Sequence, residues 1–544
     1  MNILIGNAWP YANGSLHIGH IAALLPGDIL ARYFRAKGNT VFFVSGSDCH
    51  GTPVTIRARQ ENRTPQEVCD YYHNEFTSCF TNLGFSYDHY GKTSSEEHKS
   101  FVTDFHRKLY NGGYVYEKSI PQAFCSVCNQ FLPDRFVRGI CPHCAKNARG
   151  DQCEACGNVL DPENLIQAEC SLCGKTPEFR PSKHLFLAVT KLILELDNYI
   201  ESHKDWRRNA FEMSKRYIRE GLRDRSLTRD LDWGIDVPQV GFEGKKIYIW
   251  AENVLGYLSG CYTLCREQGL DFSKVWNNCR QYFVHGKDNI PFHTIILPSL
   301  LLARTDVKLK LPDEIISSEY LTLEGRKIST SGNWAIWVKD ILERYSADSI
   351  RYFLIANGPE KRDTDFTWRE FINSHNGELL GAYGNFVNRS LVFIRKYFEA
   401  RVPMAQINTK FKQTLASLYS KVGLLIEHGD FKEALETVFT FIRSANKYFD
   451  EEQPWITIKS DVEKCRETLN TCIQIIANLS ILLEPFLPFS SARVKSMLGI
   501  EETAWQYTEV VSGFELESIQ LLFERIDKKV IEEEEMLLKG QYAV

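Results

Sequence analysis

A chain of 544 residues is too long for one hydrophobic core and implies several domains. Its hydrophobic fraction of 44% and charged fraction of 24% are those of a soluble globular protein, and it has no apolar run of about eighteen residues that would span a bilayer. The net charge of -5 argues weakly against a nucleic-acid partner but does not exclude one, because a local basic face is enough for phosphate contact.

The opening MNILIGNAWPYANG reads as a strand and a loop rather than a signal or transit peptide, so a cytoplasmic protein is expected. Asn2 to Ala8 predicts a buried strand. Leu16 to Lys37 predicts a helix kinked at Pro26-Gly27, and Asn39 to Val44 a second strand. Strand, glycine-containing loop, helix, strand is the start of a doubly wound nucleotide-binding fold. A cysteine-rich segment from about Tyr116 to Ser182 interrupts it. The pattern is expected to resume with strands at Lys246 to Trp250 and Tyr282 to Val284 and a helix from Phe292. From Asn373 to Leu498 the reading is nearly all helical, broken at Pro454 and Pro485. The tail, Leu521 to Leu538, predicts one more helix, with Glu532 to Glu535 as a solvated face.

Two short motifs carry phosphate chemistry. His17-Ile18-Gly19-His20 opens the first helix, where free N–H groups and the dipole favour anions. Its two histidines, three apart, can donate to triphosphate oxygens, and Gly19 lets an adenine approach the backbone. Lys327-Ile328-Ser329-Thr330-Ser331 lies in a loop with Gly325 and Gly332, where a lysine can neutralise a leaving pyrophosphate. Either motif alone also suits an ordinary polar surface. Together, on a split strand–helix fold, they are far more specific.

The pair resembles the signatures of class I aminoacyl-tRNA synthetases. The first is intact. In the second, Thr330 stands where the family has a second lysine, which leaves less positive charge on the loop.

Half of the 16 cysteines form four Cys-x-x-Cys pairs: Cys125/Cys128, Cys141/Cys144, Cys153/Cys156 and Cys170/Cys173. Two such pairs complete one tetrahedral Cys₄ site, so eight ligands suggest structural zinc, one or two ions. Disulfides are disfavoured by a reducing compartment and iron–sulfur ligation is the smaller alternative. Spacing does not give the pairing; a nested arrangement, inner pairs on one ion and outer pairs on the other, is expected. The remaining eight cysteines read as buried reduced thiols.

Further segments resemble methionyl-tRNA synthetases specifically: Asn7 to Gly14, Asp48 to Pro53, Trp250 to Tyr257, His285 to His293, and Phe131 to Phe136 beside the knuckles. The resemblance implies that Trp9, Tyr11, Trp250, Tyr257, Phe292 and His293 line a methionine pocket and that Asp48 takes the α-ammonium. It also implies that Gly286 and Asp288 contact the ribose, with Gly19, Lys327 and Ser329 on ATP, and that His17, His20 and Lys327 are catalytic. An aromatic lining suits a thioether. Here Ala251-Glu252-Asn253-Val254 replaces the usual aspartate and alanine, and Leu297 a common aromatic. A pocket of different shape is therefore expected, with altered inhibitor sensitivity and unchanged substrate.

Asn385, Arg389 and Trp455 match positions associated with the anticodon. An amide and a guanidinium can read base edges, and an indole can stack. Tyr345 to Arg351 and Asp363 to Trp368 resemble a linker that contacts the tRNA stem.

The implied architecture is multidomain α/β plus all-α, with a split Rossmann-like catalytic domain (1–115 and 234–322). To it are added an insertion (116–233, knuckles 125–173), a signature loop and linker (323–370), a helical anticodon-binding domain (371–512) and a returning tail (513–544). The implied partners are ATP with Mg²⁺, L-methionine and methionine tRNA, initiator and elongator, acting on a monomer with no membrane and no appended tRNA-binding domain. Transfer to the terminal 2′-OH is implied. The rivals are another class I synthetase and a non-charging RNA-binding paralogue. The aromatic set and the absence of a large editing-type insertion disfavour the first; intact His17, His20, Lys327 and Asp48 disfavour the second.

Overall fold

The apolar run Asn2–Asn7 (β1) is buried along nearly its whole length and sits at the centre of a five-stranded sheet. With Thr40–Ser47 (β2), His89–Lys92 (β3), Arg280–Gly286 (β4) and Glu314–Ser318 (β5), the order is β5-β4-β1-β2-β3, parallel throughout. Ile3 lies opposite both Val41 and Arg280. Strands covered on both faces need near-continuous apolar runs, which is why β1 and β2 lack a polar alternation. The computed structural model describes residues 1–150, 153, 156, 160–330, 332–501 and 504–542.

The helix Ile18–Ala36 (α1) follows β1 and continues through Pro26-Gly27 without a break. β1 is flanked by β2 on one side and β4 on the other, so the chain reverses direction of winding there. In such sheets ligands bind beyond the carboxyl ends of the strands at that switch point.

The second half departs from expectation in one place. Lys246 to Trp250 is not a strand of this sheet. Only Lys246–Ile247 is extended, paired antiparallel with Thr228–Arg229, and Ile249–Ala251 is a 3₁₀ turn. The aromatic and β-branched run reads as a strand, but its extended residues are taken up by Thr228–Arg229 outside the five-stranded sheet. The helix expected from Phe292 begins with a π-helical stretch, Phe292–Ile296, before Leu297–Ala303 turns α-helical. Such wide turns tend to occur at functional sites.

The insertion is antiparallel. Val115–Cys125 pairs along its length with Glu178–Leu187, and Val137–Ile140 pairs with Asn147–Arg149 and Ile166–Cys170. Its own core is small, built around Leu132, Phe136, Val137, Leu160, Leu165 and the buried cysteines.

The C-terminal half is helical as expected, and one continuous core joins it to the sheet. Pro454 starts the helix Pro454–Ser460, and Pro485 follows the end of Val462–Leu482. Arg351, in the segment likened to a stem-contacting linker, is fully buried. It pairs with Asp28 at 2.7 Å and donates to the Phe486, Pro485 and Leu83 carbonyls. Trp368 is also buried. Both are out of reach of RNA, and Arg351 ties together Asp28, Leu83 and the Pro485-Phe486 turn. The tail helix is shorter than expected, Val530–Tyr542, and residues 521–529 are not helical. Leu522 and Phe523 bury there without helix formation. Glu534 is not solvated: it accepts from Arg344 at 2.7 Å and Tyr345 at 2.9 Å. Among the described residues no helix is long and apolar enough to cross a membrane.

Candidate active site

The loops after β1 and β2 extend the sheet pairing by one step. Asp48 N–H donates to Pro10 O and Ala12 N–H donates to Asp48 O, both at 2.8 Å. Trp233 Nε1 donates to Cys49 O and Thr93 Oγ1 accepts from Cys49 N–H, so the loop is held on several sides. Asp48 therefore sits 1% exposed at the head of the crevice. One of its oxygens accepts from His50 N–H at 3.2 Å and the other from Asn253 Nδ2 at 2.5 Å. Burial and the nearby Glu252 charge push its carboxyl well above the usual range, and these two donors oppose the shift. A buried carboxylate in this position is suited to a cation.

An aromatic wall stands beside it. His293 donates from Nδ1 to Asn289 O at 2.8 Å, so its Nε2 is bare and accepts from Tyr257 OH at 2.8 Å. Burial lowers the His293 imidazole to about 4, so the pair is uncharged at neutral pH. Trp250 packs edge-on to Phe292 at 5.0 Å and is 37% exposed; Tyr11 is 39% exposed. Trp9 is buried against Gly46 and Gly256. A Cβ at either would stand 2.3 or 2.7 Å from the indole, so only glycine permits this approach. Leu297 is fully buried behind the wall.

The other side of the crevice, which carries both phosphate-type motifs, is built by two distant segments. Ile18 N–H donates to Ile336 O and Val338 N–H to Leu16 O, which lays the chain after the second motif against the first. The Ile328 side chain comes within 3.3 Å of where a Gly19 Cβ would be. His17 caps α1 and its N–H donates to His20 Nδ1 at 3.1 Å, so His20 carries its proton on Nε2. The rings stack at 3.8 Å. Burial, and for His17 also its neighbour's charge, lowers both imidazoles, His20 to about 4. His17 Nδ1 is buried without a hydrogen bond among the described residues. Lys327 is exposed on the hairpin of Leu321–Leu323 and Arg326–Lys327. Its two-residue turn, Glu324 and Gly325, has φ of 47° and 74°, the mirror-image turn that matches strand twist. Ser329 pairs through its backbone with Trp334, and Ser331 lies outside the described residues. Gly286 ends β4, and Asp288 just beyond it accepts from Tyr320 OH.

The eight cysteines gather in two groups, Cys125, Cys128, Cys170 and Cys173, and Cys141, Cys144, Cys153 and Cys156. Within each, the sulfurs lie within 4.8 Å of one another. This is the nested arrangement, and the antiparallel ladder produces it: a hairpin brings its outer ends together and its inner ends together. Cys128 N–H and His143 N–H each point at a cysteine sulfur at 3.4 Å, as suits thiolates. Four sulfurs per group fit a tetrahedral metal ion. The other eight cysteines are all buried.

At the far end, Asn385 and Arg389 lie one turn apart on Asn385–Tyr397. Arg389 lies over the Phe449 ring at 4.1 Å and pairs with Asp450 at 2.6 Å. Trp455, 43% exposed, meets the same Phe449 at 6.2 Å. Asn385 is exposed beside them.

Sequence reasoning did not assign roles to His50, Glu252, Asn253 or Tyr320. The signal for the middle pair was present: a charged and an amide residue inside the otherwise apolar run from Ile247 to Leu258.

The family model described as "tRNA synthetases class I (M)" matches residues 3–391, and "Anticodon binding domain of methionyl tRNA ligase" matches residues 402–542. The chain is 53% identical to Methionine--tRNA ligase 1 of Alkaliphilus oremlandii, covering 98% of this chain and 99% of that protein. It is 54% identical to Methionine--tRNA ligase of Bacillus cereus strain G9842, covering 99% of each. In fold it is similar to Mycobacterium tuberculosis methionyl-tRNA synthetase in complex with methionyl-adenylate, with a TM-score of 0.81, 20% identity, and coverage of 96% of this chain and 100% of that one.

Proposed function

Because the chain belongs to the class I methionyl-tRNA synthetases, we propose that this crevice ligates L-methionine to methionine tRNA, initiator and elongator, through methionyl-adenylate. The observation that carries the site assignment is the convergence of Asp48, the Tyr257–His293 wall and the α1 N-terminus at one switch point. Asp48 takes the ammonium. Trp9, Tyr11, Trp250, Tyr257, Phe292 and His293 surround the thioether. Gly286 and Asp288 hold the ribose, Asp288 exchanging its Tyr320 contact for a sugar hydroxyl. Gly19 and Ser329 border the nucleotide.

The methionine carboxylate oxygen bonds to the α-phosphorus of ATP, and the bond to the bridging oxygen of pyrophosphate breaks. His20 donates from Nε2 to the phosphate oxygens and Lys327 meets the charge that leaves with pyrophosphate. Mg²⁺ enters with ATP. The tRNA 2′-OH then attacks the adenylate carbonyl and AMP departs. Positioning and electrostatics supply the catalysis, and no protein nucleophile is involved.

Each cysteine group would hold one structural Zn²⁺, through Cys125, Cys128, Cys170 and Cys173 and through Cys141, Cys144, Cys153 and Cys156. The small core of this region, which needs such a staple, supports that reading. The buried free thiols suit a reducing cytoplasm. Asn385, Arg389 and Trp455 would read the anticodon, in a monomer divided at the boundaries given above. The test is charging of methionine tRNA against the same tRNA carrying another anticodon, with zinc content measured on the same sample. Charging of the first alone, with two zinc ions per chain, is expected. Equal charging of both would remove the anticodon assignment.

A further inference from the structure

Residues 48–50 and 252–253 are joined twice. Asn253 Nδ2 donates to Asp48 at 2.5 Å, and His50 Nδ1 meets Glu252 Oε1 at 2.5 Å. His50 is also the residue whose backbone N–H holds the other Asp48 oxygen. Glu252 is fully buried and lies 3.7 Å from His98 Nε2. His98 is in turn bonded to Ser259 at 2.8 Å, and His106 donates to Ala251 O at 2.9 Å. Burial alone would raise the Glu252 carboxyl, but the charge and hydrogen bonds of His50 and His98 hold it at about 2.

We propose that Glu252 and Asn253 are positioning residues for the methionine site: Asn253 clamps Asp48, and Glu252, gripped by His50 and His98, fixes the His50 segment that holds Asp48 from its other side. The proposal rests on reading Asp48 as the ammonium acceptor. Each Asp48 oxygen then has one protein donor and keeps lone-pair capacity for an ammonium. Both histidine contacts fall on Glu252 Oε1, which ties this second buried acid to the protein while Asp48 is offered to the cation. An alanine at position 253 has no side-chain donor and could not make this contact.

The experiment is ATP–pyrophosphate exchange by the full, metal-loaded chain, with KM for methionine, KM for ATP and kcat measured separately. The variants are Asn253→Ala, Asn253→Asp, Glu252→Gln and, as reference, Asp48→Asn. Loss of a hydrogen bond to a charged group predicts a methionine KM raised about tenfold in Asn253→Ala. Asn253→Asp keeps the shape but sets a like charge against Asp48, so its rise is larger, about a hundredfold. Glu252→Gln gives a smaller rise, about fivefold. KM for ATP stays level throughout. If Asn253 merely fills space, the order inverts and the isosteric Asp is milder than Ala, which overturns the proposal. A methionine KM unmoved in both Asn253 variants but raised in Asp48→Asn overturns the clamp alone. A KM unmoved in Asp48→Asn overturns the underlying reading of Asp48 and the clamp with it.

Discussion

On the proposed methionine side of the crevice Asp48, Tyr257 and His293 are each already bonded to a protein neighbour, and all three are buried. On the proposed phosphate side Lys327 is exposed and His17 Nδ1 is buried without a hydrogen bond among the described residues. The contrast separates two tasks. Selectivity for a small uncharged side chain needs groups fixed before the substrate arrives, because ordering them afterwards subtracts from affinity. Catalysis needs groups whose strongest interaction is made only as charge develops in the transition state.

The sharpest way to break this division is Lys327→Ala. It is expected to lower kcat of pyrophosphate exchange about 10²–10³-fold, the usual cost of removing one charge-stabilising donor, with methionine KM nearly unchanged. A change confined to methionine KM would contradict it. Trp455→Ala lies outside both sides of the crevice. It is expected to raise KM for tRNA about 5–150-fold, from roughly 1–3 kcal/mol of base stacking, and to leave exchange untouched. Tyr257→Phe removes one neutral hydrogen bond, to His293. A methionine KM raised about three- to tenfold at constant kcat is expected, and an effect on kcat alone would move Tyr257 to the other side of the comparison. The smallest effect concerns pH. The folded-state values of His17 and His20 lie below that of a free imidazole, so both are uncharged above it and protonate only in acid. The exchange rate should therefore show no histidine limb between pH 6 and 8. A limb near 6.5 that disappears in His20→Asn would contradict the neutral assignment.

Much of this architecture was legible because it is local. The His17–His20 and Lys327 motifs are short, and the cysteine pairs carry their spacing with them. The doubly wound class followed from alternating strands and helices, while the strand order and the edge strands His89–Lys92 and Glu314–Ser318 did not. What was not legible depended on contacts far apart in the chain. Lys246 to Trp250 has strand composition, but its first two residues pair with Thr228–Arg229 outside the main sheet and the rest turns, so its aromatics became a turn and a wall. Glu534 lies in an acidic run that reads as solvated, yet Arg344 and Tyr345 draw it inward. Arg351 ends a segment likened to a stem-contacting linker, and its partner is Asp28, across most of the chain. The Asn253–Asp48 bond joins residues that only the fold brings together.

The most direct test of the whole account is amino-acid-dependent ATP–pyrophosphate exchange, run without tRNA across the twenty amino acids on metal-loaded protein. The account predicts exchange with methionine and none with the others. Exchange with another amino acid instead would leave the phosphate chemistry standing and contradict the assignment of the Asp48, Tyr257 and His293 pocket.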